Sequence, residues 1–204
     1  MKSRKKSIVY SALLSVIVLC VSYFYAHIDK NTYIYDRTAD TGTYYGTGII
    51  SGSDEISQTF VAKENSIDGI NLKVSMAGNV EQVIMHYTLV DRTSGESYKG
   101  SIPVTELENN KFNQLSIDTI SNTKGKQFAL IVSSENADAQ NGFSLYAAPG
   151  SETEQHLMIR ENEAEGTLVV RTISHGFNLE TFIVFIGIAA FIIVFMKVLY
   201  KSFK

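Results

Sequence analysis

The chain contains 204 residues, of which 45% are hydrophobic and 19% charged, and this length suits one domain of ordinary size with additional apolar segments. Seven of its 18 basic residues lie in the first six and the last eight positions, so the middle holds 11 basic residues against all 21 acidic ones, a net charge of −10. Such an acidic middle argues against nucleic acid and bare anionic lipid as partners.

The first predicted element is an apolar stretch over residues 8–26, which follows a basic tail formed by residues 1–7. This order is typical of a signal peptide. However, Tyr23, Phe24 and Tyr25 place bulky rings where a cleavage site needs small residues, and such rings suit the interface between membrane and water. We therefore expect an uncleaved transmembrane helix, with cleavage as the alternative.

One face of this helix carries small and hydroxyl-bearing residues at helical spacing. Such a face lets another membrane helix approach closely and exchange hydrogen bonds, although isolated serines are also tolerated in any span. Small residues also interrupt the apolar segment near the other end of the chain. The residues predicted for helix packing are Ser11, Ser15, Ser22, Gly187 and Ala190.

Residues 27–178 alternate short β-forming runs with turn residues and show no long amphipathic helical pattern. Residues 29–40 are polar and form either a stalk or a first edge strand. The strands predicted after them are Tyr44–Ile50, Ile56–Ala62, Ile67–Met76, Glu81–Asp91, Tyr98–Pro103, Asn113–Asp118, Lys126–Ser133, Gly142–Ala147, Gln155–Arg160 and Thr167–Ser174. This pattern predicts an all-β antiparallel sandwich with a jelly-roll-like topology.

Alternation along the predicted strands assigns their side chains to two faces. The predicted core comprises Ile70, Leu72, Val74, Met76, Val83, Met85, Tyr87, Leu89, Phe128, Leu130, Val132, Phe143 and Leu145. The side chains predicted to face outward are Asn71, Lys73, His86, Thr88, Ser144, Tyr146, His156, Arg160 and Arg171. Which of the outward residues share a sheet stays open at this point.

The last predicted element is a transmembrane helix over residues 179–200, followed by a short tail at residues 201–204. Its apolar run reaches roughly 28 Å as a helix, close to the ~30 Å hydrocarbon layer of a bilayer. The predicted fold is therefore a sandwich flanked by an N-terminal and a C-terminal transmembrane helix. The basic tails place both termini in the cytoplasm and the acidic middle outside.

Several strands of the middle resemble those of a recurrent module. The matching segments are Ile56–Phe60, Ile67–Leu72, Tyr87–Asp91, Gly125–Val132 and Asn141–Tyr146. They resemble the galactose-binding-like jelly-roll module of bacterial membrane proteins associated with surface-polysaccharide assembly. The resemblance covers residues 48–146 and implies a domain outside the bacterial cytoplasmic membrane, here without a fused polytopic glycosyltransferase body.

Sequence motifs of enzymes and metal sites give little support to catalysis. The chain has no Gly-x-Ser-x-Gly, no His-Glu-x-x-His and no cysteine pair, and its four histidines share no ligand spacing. Paired carboxylates of a glycosidase stay open because they depend on distances. An acidic run (Glu152, Glu154, Glu161, Glu163 and Glu165) is typical of a solvated strand edge, with a calcium site as the alternative. We predict a protein that is not an enzyme and has no cofactor and no metal.

Carbohydrate binding is the sharper hypothesis, because sugar faces stack on aromatic rings and sugar hydroxyls bond to polar side chains. The residues predicted to contact such a ligand are Tyr44, Tyr45, His86, Tyr98, Tyr146, Arg160 and Arg171. The alternative for each tyrosine is an ordinary strand position with its hydroxyl at the rim.

The expected function is that of a non-catalytic accessory that binds a glycan or a glycosyltransferase partner in surface-polysaccharide assembly or modification. The alternative is a structural subunit of a polytopic membrane protein complex, in which the sandwich serves as a protein-interaction cap.

Overall fold

The computed structural model of the chain describes residues 2–150 and 154–203, with side chains described for residue 10 and from residue 12 onward. These residues divide into two compact units. One unit is Lys30–Ser174, and the other combines the N-terminal segment up to Asp29 with the C-terminal segment from His175. The strands belong to the first unit and the two α-helices to the second.

The helices are α1 (Lys2–Tyr25) and α2 (Leu179–Ser202). In chain order, the described strands are β1 (Lys30–Tyr33), β2 (Tyr45–Gly46), β3 (Glu55–Val61), β4 (Ser66–Ala77), β5 (Ile84–Asp91), β6 (Ser97–Pro103), β7 (Phe112–Ser121), β8 (Gln127–Glu135), β9 (Gly142–Ala148), β10 (Leu157–Ile159), β11 (Asn162–Ala164), β12 (Thr167–Leu168) and β13 (Val170–Ser174). Short 3₁₀ turns lie at Thr41–Thr43 and Val104–Glu106.

The strands form two antiparallel sheets that enclose one core. The first sheet has the order β1-β13-β4-β9-β12, with β2 paired to β9 and β7 paired to β4. The second sheet has the order β11-β10-β3-β8-β5-β6. The predicted all-β antiparallel sandwich is thereby confirmed as two sheets.

The predicted core is confirmed almost throughout. Each of the 13 residues predicted to face inward is buried except Met76, which is half-buried and packs against the same cluster. Residues predicted to face outward are exposed or half-buried. Five of these outward residues share the first sheet, namely Asn71, Lys73, Ser144, Tyr146 and Arg171. Alternation alone did not determine this grouping.

Several predicted strand boundaries are wrong, and three of them change how the chain enters or leaves a sheet. The run predicted as Tyr44–Ile50 is a strand only at β2, because Gly48 has a φ of 82° and turns the chain out of the sheet. The stretch predicted as Thr167–Ser174 divides at Val169 into β12, which pairs with β9, and β13, which pairs with β4. Glu81–Asp91 begins as a strand only at Ile84.

Two polar contacts cross between the sheets inside the core. Gln58 of β3 is fully buried; its side-chain oxygen accepts the Leu168 N–H of β12 at 2.9 Å. Tyr87 of β5 donates its hydroxyl to the Ser116 carbonyl oxygen of β7 at 2.7 Å. Gly100 makes room for that ring, since an added Cβ would stand 2.3 Å from it. These bonds satisfy buried polar groups and connect the two sheets.

Of the helices described, α2 is long and apolar enough to cross a membrane. None of its residues is buried, and its N-terminus is capped by Asn178, whose side-chain oxygen accepts the Thr181 N–H at 2.9 Å. The apolar helical stretch at the other end covers Ala12–Tyr25, which is shorter than the ~20 residues of a typical span. The prediction of two flanking spans is therefore supported by length and composition at α2 and not at α1.

The residues predicted for helix packing have different surroundings. Ser22 is buried and donates its hydroxyl to the Val18 carbonyl oxygen at 2.7 Å, while Ser15 is exposed. Gly187 and Ala190 are exposed on α2. The side chain of Ser11 lies outside the described residues. The two helices meet near Tyr25, whose ring centroid is 4.8 Å from that of Phe185.

Asp91 at the end of β5 is a buried carboxylate, with 2% of its side chain exposed. Burial alone would raise its pKa. The N–H groups of Thr93 and Ser94 and the Lys126 ammonium, 3.0 Å from Asp91 Oδ2, outweigh that effect and lower the pKa of Asp91 to about 2. The ionised form therefore stabilises the fold above about pH 4, and this contribution is lost as the pH falls towards 2.

We expect Asp91→Asn to lower the free energy of unfolding by about 1–2 kcal/mol at pH 7, a value reduced for the partly solvated Lys126. The difference between variant and parent should shrink as the pH falls from 4 to 2. Thermal unfolding of the full chain in detergent, followed by circular dichroism, measures it. Asp118→Asn at an exposed position is the control, and equal losses in both variants would contradict the assignment.

Candidate binding face

The outer surface of the first sheet carries the side chains that alternate with core residues of β13 and β4. Arg171 in β13 lies between the buried residues Val170 and Thr172. Strand pairing sets Arg171 opposite Tyr33 of β1 on one side and opposite Asn71 of β4 on the other. A row of outward side chains therefore crosses adjacent strands of this sheet.

The Arg171 guanidinium packs on aromatic rings. Its Cζ lies 3.5 Å from the ring centroid of Phe112 at the start of β7 and 5.4 Å from that of Tyr33. Arg37, in the loop after β1, places its Cζ 5.0 Å from the Tyr33 centroid. Cation–π attraction of this kind holds the guanidinium groups close to the rings.

Lys73 of β4 lies between two further rings on the same face. Its ammonium nitrogen is 4.8 Å from the Tyr146 centroid and 5.6 Å from that of Tyr44. The Tyr146 hydroxyl donates to Asn110 Oδ1 at 2.6 Å, which fixes that ring from its far end.

Tyr35 connects the two groups of rings. It is 8% exposed, and edge-to-face contacts place its centroid 5.6 Å from Tyr33 and 6.0 Å from Tyr44. Burial raises the pKa of Tyr35 most, and the neighbouring Tyr44 raises it further. Arg171 has a smaller effect in the opposite direction, and the resulting pKa is about 12. Tyr35 therefore stays neutral at any physiological pH. We call this surface the aromatic–cation face; it comprises Tyr33, Tyr35, Arg37, Tyr44, Lys73, Phe112, Tyr146 and Arg171.

The cations of the aromatic–cation face differ from Lys126 and Arg160 because no described carboxylate pairs with them. Within residues 2–150 and 154–203, Arg37, Lys73 and Arg171 form no ion pair, whereas Lys126 and Arg160 each contact a carboxylate. The Nε atom of Arg171 is buried and has no hydrogen-bond partner there. The face thus presents positive charge that no described carboxylate neutralises.

A groove of about 440 Å³ adjoins the face and is lined in part by Tyr33, Tyr35 and Arg37. Asp36 also borders this groove, but its carboxylate accepts the backbone N–H and the hydroxyl of Thr38, which lower its pKa. That carboxylate is therefore already engaged with its own loop.

Three of the seven predicted ligand residues, Tyr44, Tyr146 and Arg171, come together on the aromatic–cation face. Two others point elsewhere in the sandwich. Tyr45 donates its hydroxyl to the Glu165 carbonyl oxygen at the sheet rim. Tyr98 packs against the main core and donates to Glu96 Oε2 at 3.1 Å.

The remaining two predicted ligand residues belong to the second sheet. His86 stands on its outer face, with its Nε2 3.0 Å from Glu135 Oε2. Arg160 donates from Nε to Asp54 Oδ2 at 2.8 Å and from Nη2 to the Ile49 carbonyl oxygen at 2.9 Å. Arg160 also borders a separate groove of about 480 Å³, and its two bonds indicate that it holds the adjoining loop in place.

Sequence reasoning missed Tyr33, Tyr35, Arg37 and Phe112, and it predicted Lys73 to face outward without assigning it to a ligand site. A usable signal was present in the segment Tyr33-Ile34-Tyr35, where a buried isoleucine between two tyrosines has the two-residue period of a strand. Phe112 lies one residue before the strand predicted from Asn113, so its position on the face was lost with that boundary.

The described ranges contain no group of three or more histidine, cysteine or acidic side chains placed to hold a metal ion. Of the acidic run considered for calcium, Glu152 lies outside the described residues. Glu163 contacts His156 Nδ1 at 2.6 Å on the edge hairpin β10–β11, in agreement with a solvated strand edge.

Comparison of the chain with protein-family models finds no matching family, and comparison with curated proteins finds no similar sequence. The resemblance to the galactose-binding-like module therefore stays a prediction, and the geometry of the aromatic–cation face carries the functional proposal.

Proposed function

We propose that this chain is a membrane-anchored β-sandwich protein that binds a glycan on its aromatic–cation face, as a non-catalytic accessory in bacterial surface-polysaccharide assembly or modification. The proposed fold of the sandwich is the galactose-binding-like jelly roll. Its partners are the glycan and a polytopic membrane protein, a glycosyltransferase in the simplest case.

The observation that carries this proposal is the grouping of rings and cations on one outer sheet face. Tyr33, Tyr44, Phe112 and Tyr146 are half-buried, so each keeps part of its ring surface accessible. Sugar rings present C–H faces that pack on aromatic rings, and their hydroxyls accept hydrogen bonds from arginine and lysine. A sheet face that carries several rings and cationic donors suits an extended chain of sugars.

The proposed location is the outer side of the bacterial cytoplasmic membrane. Large apolar side chains of α2, such as Ile183, Phe191 and Phe195, are exposed, and a bilayer would cover them. In α1, the proposed second span, Leu13, Ile17 and other apolar residues are exposed in the same way. The basic residues near the start of α1 and near the end of α2 favour cytoplasmic termini and an outer sandwich.

A second candidate function is that of a structural subunit of a polytopic membrane complex. It is favoured by Gly187, where an added Cβ would meet no atom within 4 Å, so that this face of α2 is open to another helix. Crosslinks from Gly187→Cys to an integral protein, in a complex unaffected by changes on the aromatic–cation face, would favour this function over glycan binding.

The topology is tested by labelling single cysteines with a membrane-impermeant maleimide, in a Cys20→Ser background. We expect Thr105→Cys, in an exposed turn of the sandwich, to react in intact cells. Ser202→Cys, at the end of α2, should react only after the cells are permeabilised. The opposite pattern would contradict an outer sandwich.

Glycan binding is tested with the full chain on an array of bacterial surface glycans, in a detergent without a sugar headgroup. We expect specific retention that falls about tenfold in Tyr146→Ala, because the stacking ring is lost, and by less than twofold in Tyr146→Phe, which keeps it. His86→Ala on the other sheet is the matched control. Absence of retention on any glycan would contradict the proposed function, and loss only in His86→Ala would move the site to the second sheet.

A further inference from the structure

We infer that the glycan recognised by the aromatic–cation face is acidic, with its negative charge on carboxylate or phosphate groups. This inference rests on the proposed function, because it names the chemical class of the ligand for the same surface. It follows from the charge of the face, from the state of Arg171 and from the arrangement of the rings.

The charge of the aromatic–cation face is opposite to that of the body that bears it. The middle of the chain has more acidic than basic residues, yet Arg37, Lys73 and Arg171 gather on one surface with no carboxylate paired to them among the described residues. A structural role for a surface cation is commonly met by an ion pair, as for Arg160 with Asp54. Arg92, Lys99 and Lys124 also have no ion pair among the described residues, so the absence of a pair is not decisive by itself. The grouping of three such cations on one face of an otherwise acidic domain points to a negative partner from outside.

Arg171 supplies the most specific feature of this surface. Its guanidinium carbon lies 3.5 Å from the Phe112 ring centroid, and this contact holds the group in position before any ligand arrives. The buried Nε donor is left without a hydrogen-bond partner in the described chain. Because Nε is buried, a ligand would meet the terminal N–H groups of the guanidinium instead. A neutral sugar hydroxyl takes one such bond, whereas a carboxylate or phosphate accepts two parallel N–H bonds from a guanidinium.

The rings define what carries the negative charge. Lys73 lies within reach of both Tyr44 and Tyr146, and Arg171 lies between Phe112 and Tyr33, so each cation is flanked by aromatic surface. An inorganic anion would make no use of these rings. A sugar that bears an acidic group places its C–H face on a ring and its charge on the adjoining cation, and so uses both features at once.

The test compares oligosaccharides that differ only in charge, with the full chain in a detergent without a sugar headgroup. The probes are tetragalacturonate, its methyl ester, and a neutral tetrasaccharide with and without a phosphate substituent. We expect at least one acidic probe to bind tenfold or more tightly than its neutral counterpart, with an affinity that falls as salt rises from 50 to 500 mM.

Variants on the face separate charge from shape. Arg171→Gln should lower the affinity for the acidic probe about tenfold or more and change the affinity for a neutral probe by less than twofold. The affinity of Arg171→Lys for the acidic probe should lie between those of the parent and Arg171→Gln, because lysine keeps the charge but loses the paired donors. Lys73→Gln gives a second, independent loss if Arg171→Gln lowers the thermal midpoint. Arg92→Gln, an exposed cation after β5, is the matched control and should bind as the parent does.

The outcomes distinguish the preference for an acidic glycan from glycan binding itself. Equal or tighter binding of the neutral probes would overturn the inference while leaving glycan binding intact, whereas no binding of any probe or array glycan would overturn both. Displacement of the acidic probe by dihexanoyl phosphatidylglycerol at lower concentration than by free probe would overturn the inference in favour of a lipid headgroup. Preference for the galacturonate or for the phosphate probe identifies which acidic group the face takes.

Discussion

The two-residue period of β13 and β4 places the core and the candidate site on opposite sides of the same strands. Val170 and Thr172 face the interior, so Arg171 between them must face outward, and Leu72 and Val74 constrain Lys73 in the same way. A shift of one residue in either strand would bury the cation of that strand and expose its core side chains. The register that stabilises the sandwich therefore also fixes the position of each cation relative to the rings of β1 and β7.

The aromatic–cation face is assembled from distant parts of the sequence. Tyr33 and Tyr146 are separated by more than a hundred residues, and Phe112 comes from a strand on the other side of β4 from β13. The pairing of β13 with both β1 and β4 brings these parts together. Polar bonds of Gln58 and Tyr87 between the sheets hold this first sheet against the second. The arrangement of the aromatic–cation face thus depends on hydrogen-bonded polar side chains in the core.

Much of the fold follows from local patterns in the sequence, whereas the site does so only in part. Alternation identified the core residues from Ile70 to Leu145 because each strand carries its own period, independent of its neighbours. The site depends on which strands are adjacent, and a single sequence does not contain that order. The predicted ligand set therefore included His86 and Arg160, which the topology places away from Tyr44, Tyr146 and Arg171. Tyr33 and Tyr35 were missed because the short edge strand β1 and the residues directly after it lie in a polar stretch with few apolar residues.

The most direct test of glycan binding at this face is chemical footprinting of the full chain with and without a retained oligosaccharide. Lysines are acetylated, arginines are modified with phenylglyoxal, and the extent of each reaction is measured by mass spectrometry. We expect the ligand to protect Lys73 and Arg171 together and to leave Lys99 and Arg92 as reactive as they are without it. Protection of Lys99 or Arg92 with unchanged reactivity at Lys73 and Arg171 would contradict it.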